Sequence, residues 1–139
     1  MTTTSYYGYS SYSTYSPTAV AGSATEIPLT PTGGTTVHDL WLIITPLQGG
    51  EFALVLTAQG LQPGGTYLIE GITTGAQTNI VPLASTASTS EFTANNQGNG
   101  IYSQVFVINP QTAYSSVLLL YLPNNQMESG VLVASATLG

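Results

Sequence analysis

His38 and Asp39 are the one adjacent pair in this chain that could move a proton: the only histidine stands beside one of six acidic residues. Such a pair supports hydrolysis when a serine on a constrained turn completes the set. No Gly-x-Ser-x-Gly turn occurs, and the serines gather in polar stretches. In an extended run adjacent side chains point to opposite faces, so Asp39 is not expected to orient His38. The carboxylates Glu26, Asp39, Glu51, Glu70, Glu91 and Glu128 are scattered singly. Calcium needs clustered oxygen ligands, often in Asp-x-Asp spacing, and no such cluster occurs. Glycosidase carboxylates can converge from distant positions, but single charges spread one per strand are expected to guard sheet edges. There is no cysteine, so disulfides, thiol catalysis and thiolate metal sites are ruled out. No enzyme activity, cofactor or metal is expected.

Aromatic rings remain. Trp41, Tyr67, Tyr102, Tyr114 and Tyr121 would form a sugar-stacking platform if exposed together, although core packing is the commoner fate of such residues. The other five of the nine tyrosines fall in residues 1–22, a stretch of mostly Thr, Ser, Tyr, Gly and Ala. Tyr6, Tyr9, Tyr12 and Tyr15 recur every three residues, with Tyr7 beside the first. A period of three is the polyproline II repeat, which lines rings along one side about 9 Å apart.

Composition narrows the function classes further. The chain of 139 residues has no lysine and no arginine, and its formal net charge is −6. An average domain of this size carries about fifteen basic residues. Without them there is nothing to neutralise a phosphate backbone, so nucleic-acid binding is not expected. Nor is there a basic patch for anionic lipid. Trypsin-like proteases find no cleavage site. Charged residues are 4% of the chain and apolar ones 42%, which is not the composition of a disordered protein. Burial and hydrogen bonds must hold the fold, so its stability is expected to be insensitive to salt. No apolar run is long enough for a spanning helix, and membrane insertion is not expected. The amino terminus lacks the basic and apolar regions of a secretory signal peptide. Asn-x-Ser/Thr does not occur, whereas the Ser/Thr-rich stretches 2–16 and 85–90 permit O-linked glycans.

The elements that must position these residues read as strands. Short apolar and β-branched runs predict strands over Ala24–Leu29, Val37–Thr45, Phe52–Ala58, Tyr67–Thr73 and Thr78–Ala84. Further strands follow over Ser90–Ala94, Ile101–Ile108, Ser116–Leu122 and Val131–Leu138. Gly, Pro and Asn clusters separate them, Asn99-Gly100 being a favoured turn pair. Asn109 followed by Pro110 predicts a short helical turn over Pro110–Tyr114. In the last strand Leu132, Ala134, Ala136 and Leu138 form one inward face. The Ser116–Leu122 and Ile101–Ile108 strands are apolar on both faces, so something must cover their second side. The prediction is an all-β protein: a single antiparallel β-sandwich, immunoglobulin-like or jelly-roll, of about eight strands. Residues 1–22 form an extended N-terminal arm, and 23–139 form the sandwich.

Leu61, Pro63, Gly64 and Tyr67 stand in the order Gly-Leu-x-Pro-Gly-x-x-Tyr. This stretch resembles the strand–corner–strand of fibronectin type III and related immunoglobulin-like domains. The resemblance covers about a tenth of the chain and implies a sandwich in which Leu61 plugs the core and Tyr67 begins the next strand. It implies no activity.

These features predict a structural subunit of a self-assembling filament or appendage, extracellular or on a cell or spore surface. Its partners are copies of itself. The arm, through Tyr6, Tyr7, Tyr9, Tyr12 and Tyr15, with Ile27 and Leu29 in the adjoining strand, would dock on a neighbouring subunit. Ala24–Leu29 is the candidate added strand, confined to an edge by Pro28. Tyr102, Phe106, Leu118, Leu120 and Tyr121 are the candidate subunit contacts. The alternative is a non-catalytic carbohydrate-binding or adhesive module that uses exposed aromatics.

Overall fold

A computed structural model of the chain describes residues 22–126 and 130–138. It is an antiparallel β-sandwich of two sheets. Sheet I has the order β1-β3-β4-β8, made of β1 (Thr25–Pro28), β3 (His38–Pro46), β4 (Phe52–Gln59) and β8 (Gly100–Phe106). Sheet II has the order β2-β10-β9-β5-β6, made of β2 (Thr30–Pro31), β10 (Val131–Thr137), β9 (Tyr114–Leu122), β5 (Thr66–Thr73) and β6 (Ile80–Pro82). A short strand, β7 (Glu91–Thr93), pairs with β5 beside β6. No helix of the described residues is long and apolar enough to cross a membrane.

Alternation builds the core. Leu40, Leu42 and Ile44 of β3 and Leu54, Leu56 and Ala58 of β4 face inward and are buried. They meet Tyr67 and Ile69 of β5 and Val117 and Leu119 of β9 in one apolar cluster. The two layers bury their inward side chains against each other, as aligned sandwiches do. Asn109 accepts a hydrogen bond from the Gln111 amide at 3.0 Å and caps the predicted turn, helix α1 (Pro110–Ala113).

Two local departures from strict alternation matter. Asp39 has a φ of +52°, and the β3–β4 register shifts between His38 and Trp41. The run is therefore not extended there, because a bulge turns the backbone into the left-handed region. The register of β10 on β9 shifts between Leu132 and Ala134. This bulge overturns the expected single inward face of β10: Val133 is buried at 7% exposure, whereas Leu132 is 40% exposed. Ala134, Ala136 and Leu138 stay inward as expected. The Thr78–Ala84 strand shortens to Ile80–Pro82, because the Thr73 and Asn79 amides close a turn on Asn79 O and Thr73 Oγ1.

Candidate functional site

The bulge at Asp39 changes the geometry expected of the acid–base pair. His38 Nε2 and Asp39 Oδ2 approach to 3.8 Å, with both side chains mostly exposed. His38 Nδ1 lies 3.1 Å from the Thr36 carbonyl, so Nδ1 carries the proton and donates it to that oxygen. A hydrolytic set needs the carboxylate on Nδ1 and a nucleophile on Nε2. Here a backbone carbonyl takes Nδ1 and the carboxylate flanks Nε2, which leaves neither nitrogen arranged for that role. Gly60 packs beneath the ring: a Cβ added there would lie 2.6 Å from His38 Nδ1. Thr36 Oγ1 donates to the Gly60 carbonyl at 2.7 Å and fastens the β3 entrance to the corner after β4.

The carboxylates do not converge. No group of three or more His, Asp or Glu among the described residues is placed to hold a metal. Glu128 lies outside the described residues. Glu70 stands on the outer face of sheet II, opposite Leu118 of β9 on one side and Pro82 of β6 on the other. Burial in this apolar setting holds its carboxyl above the usual range.

The tyrosines of the sandwich act as struts. The Tyr67 hydroxyl accepts a hydrogen bond from the Gln62 amide at 2.8 Å and fixes the corner at Pro63-Gly64. Gly64 takes a φ of +71° in that corner, and Leu61 is buried beneath it. The Tyr67 ring stacks on Phe92 and tilts against Tyr121, with centroids 5.6 and 5.2 Å away. The Tyr102 hydroxyl donates to the Thr89 carbonyl at 2.8 Å, and the Tyr114 hydroxyl to the Leu83 carbonyl at 2.9 Å. Burial raises the phenol pKa of Tyr67, Tyr102 and Tyr114. Tyr67 and Tyr102 are buried, Tyr114 and Tyr121 are half-buried, and Trp41 lies on the outside of sheet I. The five rings therefore share no surface.

The outside of sheet I is different. Residues in register share a face. Pro28, Trp41, Thr57 and Ile101 form one outward row across β1, β3, β4 and β8. Glu26, Ile43, Val55 and Ser103 form the next, and Thr45, Ala53 and Val105 a third. Trp41 is 42% exposed, Ile101 64% and Val105 51%. Glu26, at the β1 edge, is the only charge in these rows.

A second apolar feature lies at the seam of the sandwich. A groove of about 590 Å³ runs between the end of β8 and the β6 edge. Phe106, Ile108, Val81, Leu83 and Tyr114 line it, and no charged side chain does. Beyond β4, the described residues give β8 no backbone hydrogen-bond partner along its other edge.

The predicted contact residues fall into separate places. Tyr6, Tyr7, Tyr9, Tyr12 and Tyr15 lie outside the described residues. Ile27 of β1 pairs with Leu42 of β3 and packs against the chain's own core, so the strand expected to add to a neighbouring subunit is here the edge strand of its own sheet I. Leu29 is buried and its amide donates to the Leu40 carbonyl at 3.2 Å. Tyr102 is in the core, and Phe106 lies in the seam groove. Leu118 and Leu120 are half-buried on the outer face of sheet II, while Tyr121 turns inward against Tyr67. Trp41, Ile43 and Val55 are absent from the predicted set. The signal for Trp41 and Ile43 is present in the Leu40-Trp-Leu-Ile-Ile44 run, which is apolar at both parities, and that for Val55 in the Phe52–Leu56 run. Comparison with known protein families, with characterised proteins and with solved structures finds no match to the chain.

Proposed function

We propose that this protein is a structural subunit that assembles with copies of itself into a filament or appendage at a cell or spore surface or outside the cell. The outer face of sheet I carries the proposal. It presents Trp41, Ile43, Val55, Ile101 and Val105 to solvent in ordered rows with one flanking charge. Exposed contiguous apolar patches mark interaction sites. Few charges of either sign stand elsewhere to keep subunits apart, since the chain has six acids and no lysine or arginine. Charged residues are 4% of the chain, far below the roughly 25–35% of an ordinary soluble surface. The absence of trypsin-like cleavage sites suits material exposed to proteases.

In this proposal residues 1–22 join one subunit to the next by docking on a neighbouring sandwich. A contact of that kind is head-to-tail and does not close, so it propagates as a filament. Deletion of residues 1–22 tests it: the truncated chain keeps its β-sheet circular dichroism and forms no filaments. Filaments of unchanged length from the truncated chain would overturn the arm mechanism.

A further inference from the structure

The seam groove has the form of a sandwich position left unfilled. Its floor is core-facing, because Phe106 packs against the central cluster and Leu83 is buried beside it. Its walls are two sheet edges, β8 of sheet I and β6 of sheet II. Open edges with an apolar floor between them are what an added chain segment covers. We infer that this groove is the acceptor for the tyrosine-rich arm, residues 1–21, of a neighbouring copy; the inference rests on the self-assembly proposed above.

The point where the described chain begins supports that occupant. β1 runs antiparallel to β3, with Thr25 opposite Ile44, so the preceding residues pass Pro46 and leave the end of the sheet. Gly22 lies beside Pro46: a Cβ there would be 3.5 Å from Pro46 Cγ. Pro46, Phe52 and Phe106 form one row across β3, β4 and β8. The arm therefore departs at the groove's own end of the sandwich, three strand spacings or about 14 Å from β8. Twenty-one residues reach up to about 70 Å when extended. The nine residues of β3 cover only about 30 Å. The segment is long enough to enter the groove of the next subunit.

Chemistry agrees with reach. Neither the arm nor the groove lining carries a charged side chain. The β8 side of the groove comprises Gln104–Phe106 of the strand and the bend residues Val107 and Ile108, five residues that span at most about 16 Å. Two rings of the Tyr6, Tyr9, Tyr12, Tyr15 series, about 9 Å apart in a polyproline II segment, fit within it. Phe106 and Tyr114 offer them aromatic faces, and the open β8 edge offers amides and carbonyls to their hydroxyls.

The chain has no cysteine, so introduced ones report cleanly. Val107 is 78% exposed at the groove rim. Val107→Cys is combined in the full chain with Tyr6→Cys, Tyr9→Cys, Tyr12→Cys or Tyr15→Cys, one at a time, and assembled protein is treated with a short bismaleimide. At least one pair gives a covalent ladder rising by single subunits, whereas each single variant stops at the dimer. Filaments seen by microscopy with no ladder from any pair overturn the groove as acceptor and leave the self-assembly proposal standing. A compact, fast-migrating monomer as the sole product shows the arm in its own groove and overturns docking between copies. Absence of filaments from the unsubstituted chain overturns both.

Discussion

Trp41 and Ile101 stand in one row on the outside of sheet I, two strands apart, with Thr57 between them in register with both. Strand spacing sets their backbones about 9.6 Å apart. Both side chains face solvent rather than the core. Large apolar groups ordered in this way cost little to the folded monomer and gain when a second surface removes them from water, at about 25 cal/mol per Å² buried.

Ile101→Glu and Trp41→Glu are expected to leave folding nearly intact, with changes within about 0.5 kcal/mol for surface positions. Each adds a negative charge to a chain that is already anionic and removes apolar contact area. Sedimentation velocity at several concentrations should show weaker self-association for both. Wild-type association in the double variant would remove sheet I from the assembly.

The core behaves differently. Leu42 and Leu54 are fully buried and in contact with both sheets' interior. Leu42→Ala or Leu54→Ala is expected to cost about 2–5 kcal/mol. Urea denaturation followed by tyrosine fluorescence measures this, and a loss under about 1 kcal/mol would contradict the packing described.

The Tyr102 hydroxyl bonds Thr89 O and links β8 to the loop before β7. Tyr102→Phe is expected to cost about 0.5–1.5 kcal/mol, the usual net value of one hydrogen bond. Burial favours the neutral phenol in Tyr67, Tyr102 and Tyr114, so their folded pKa values exceed the unfolded ones. The stability linked to these groups is full below about pH 10 and is lost as pH rises through the raised values. Absorbance at alkaline pH should show a late-titrating fraction that coincides with unfolding and shrinks in Tyr102→Phe.

Glu70 provides the acid counterpart. Its carboxyl is raised by burial between Leu118 and Pro82. The folded state therefore binds this proton more tightly than the unfolded chain. The sign follows: the linked stability is present below about pH 4 and is lost as pH rises through the raised pKa. Glu70→Gln should flatten this part of the stability–pH profile and raise stability at pH 7. An unchanged profile would place Glu70 in water.

Much of this architecture is legible in the sequence, and particular residues show where legibility ends. Alternation of Leu54, Leu56 and Ala58 with Val55 and Thr57 marks β4 without ambiguity, and Asn109-Pro110 marks the helical turn. Thr30 and Pro31 carry no strand pattern of their own, and only pairing with Ser135 and Ala134 makes a strand of them. The bulges at Asp39 and Val133 are invisible to a period-two pattern, because one inserted residue reverses every face beyond it. The β8 run reads as two-faced because Tyr102 and Phe106 stand opposite Ile101, Val105 and Val107. That it borders β6 across a groove depends on how the two sheets stack, and no local pattern encodes that. The outer face of sheet I is written in Trp41 and Ile43, but it emerges as a surface only when β1, β3, β4 and β8 are set side by side.

Negative-stain electron microscopy of the concentrated full-length chain tests the central claim most directly. Self-assembly predicts filaments of uniform width that persist at high salt, because no ion pair with lysine or arginine can hold them. Single monomeric particles at every concentration would contradict it.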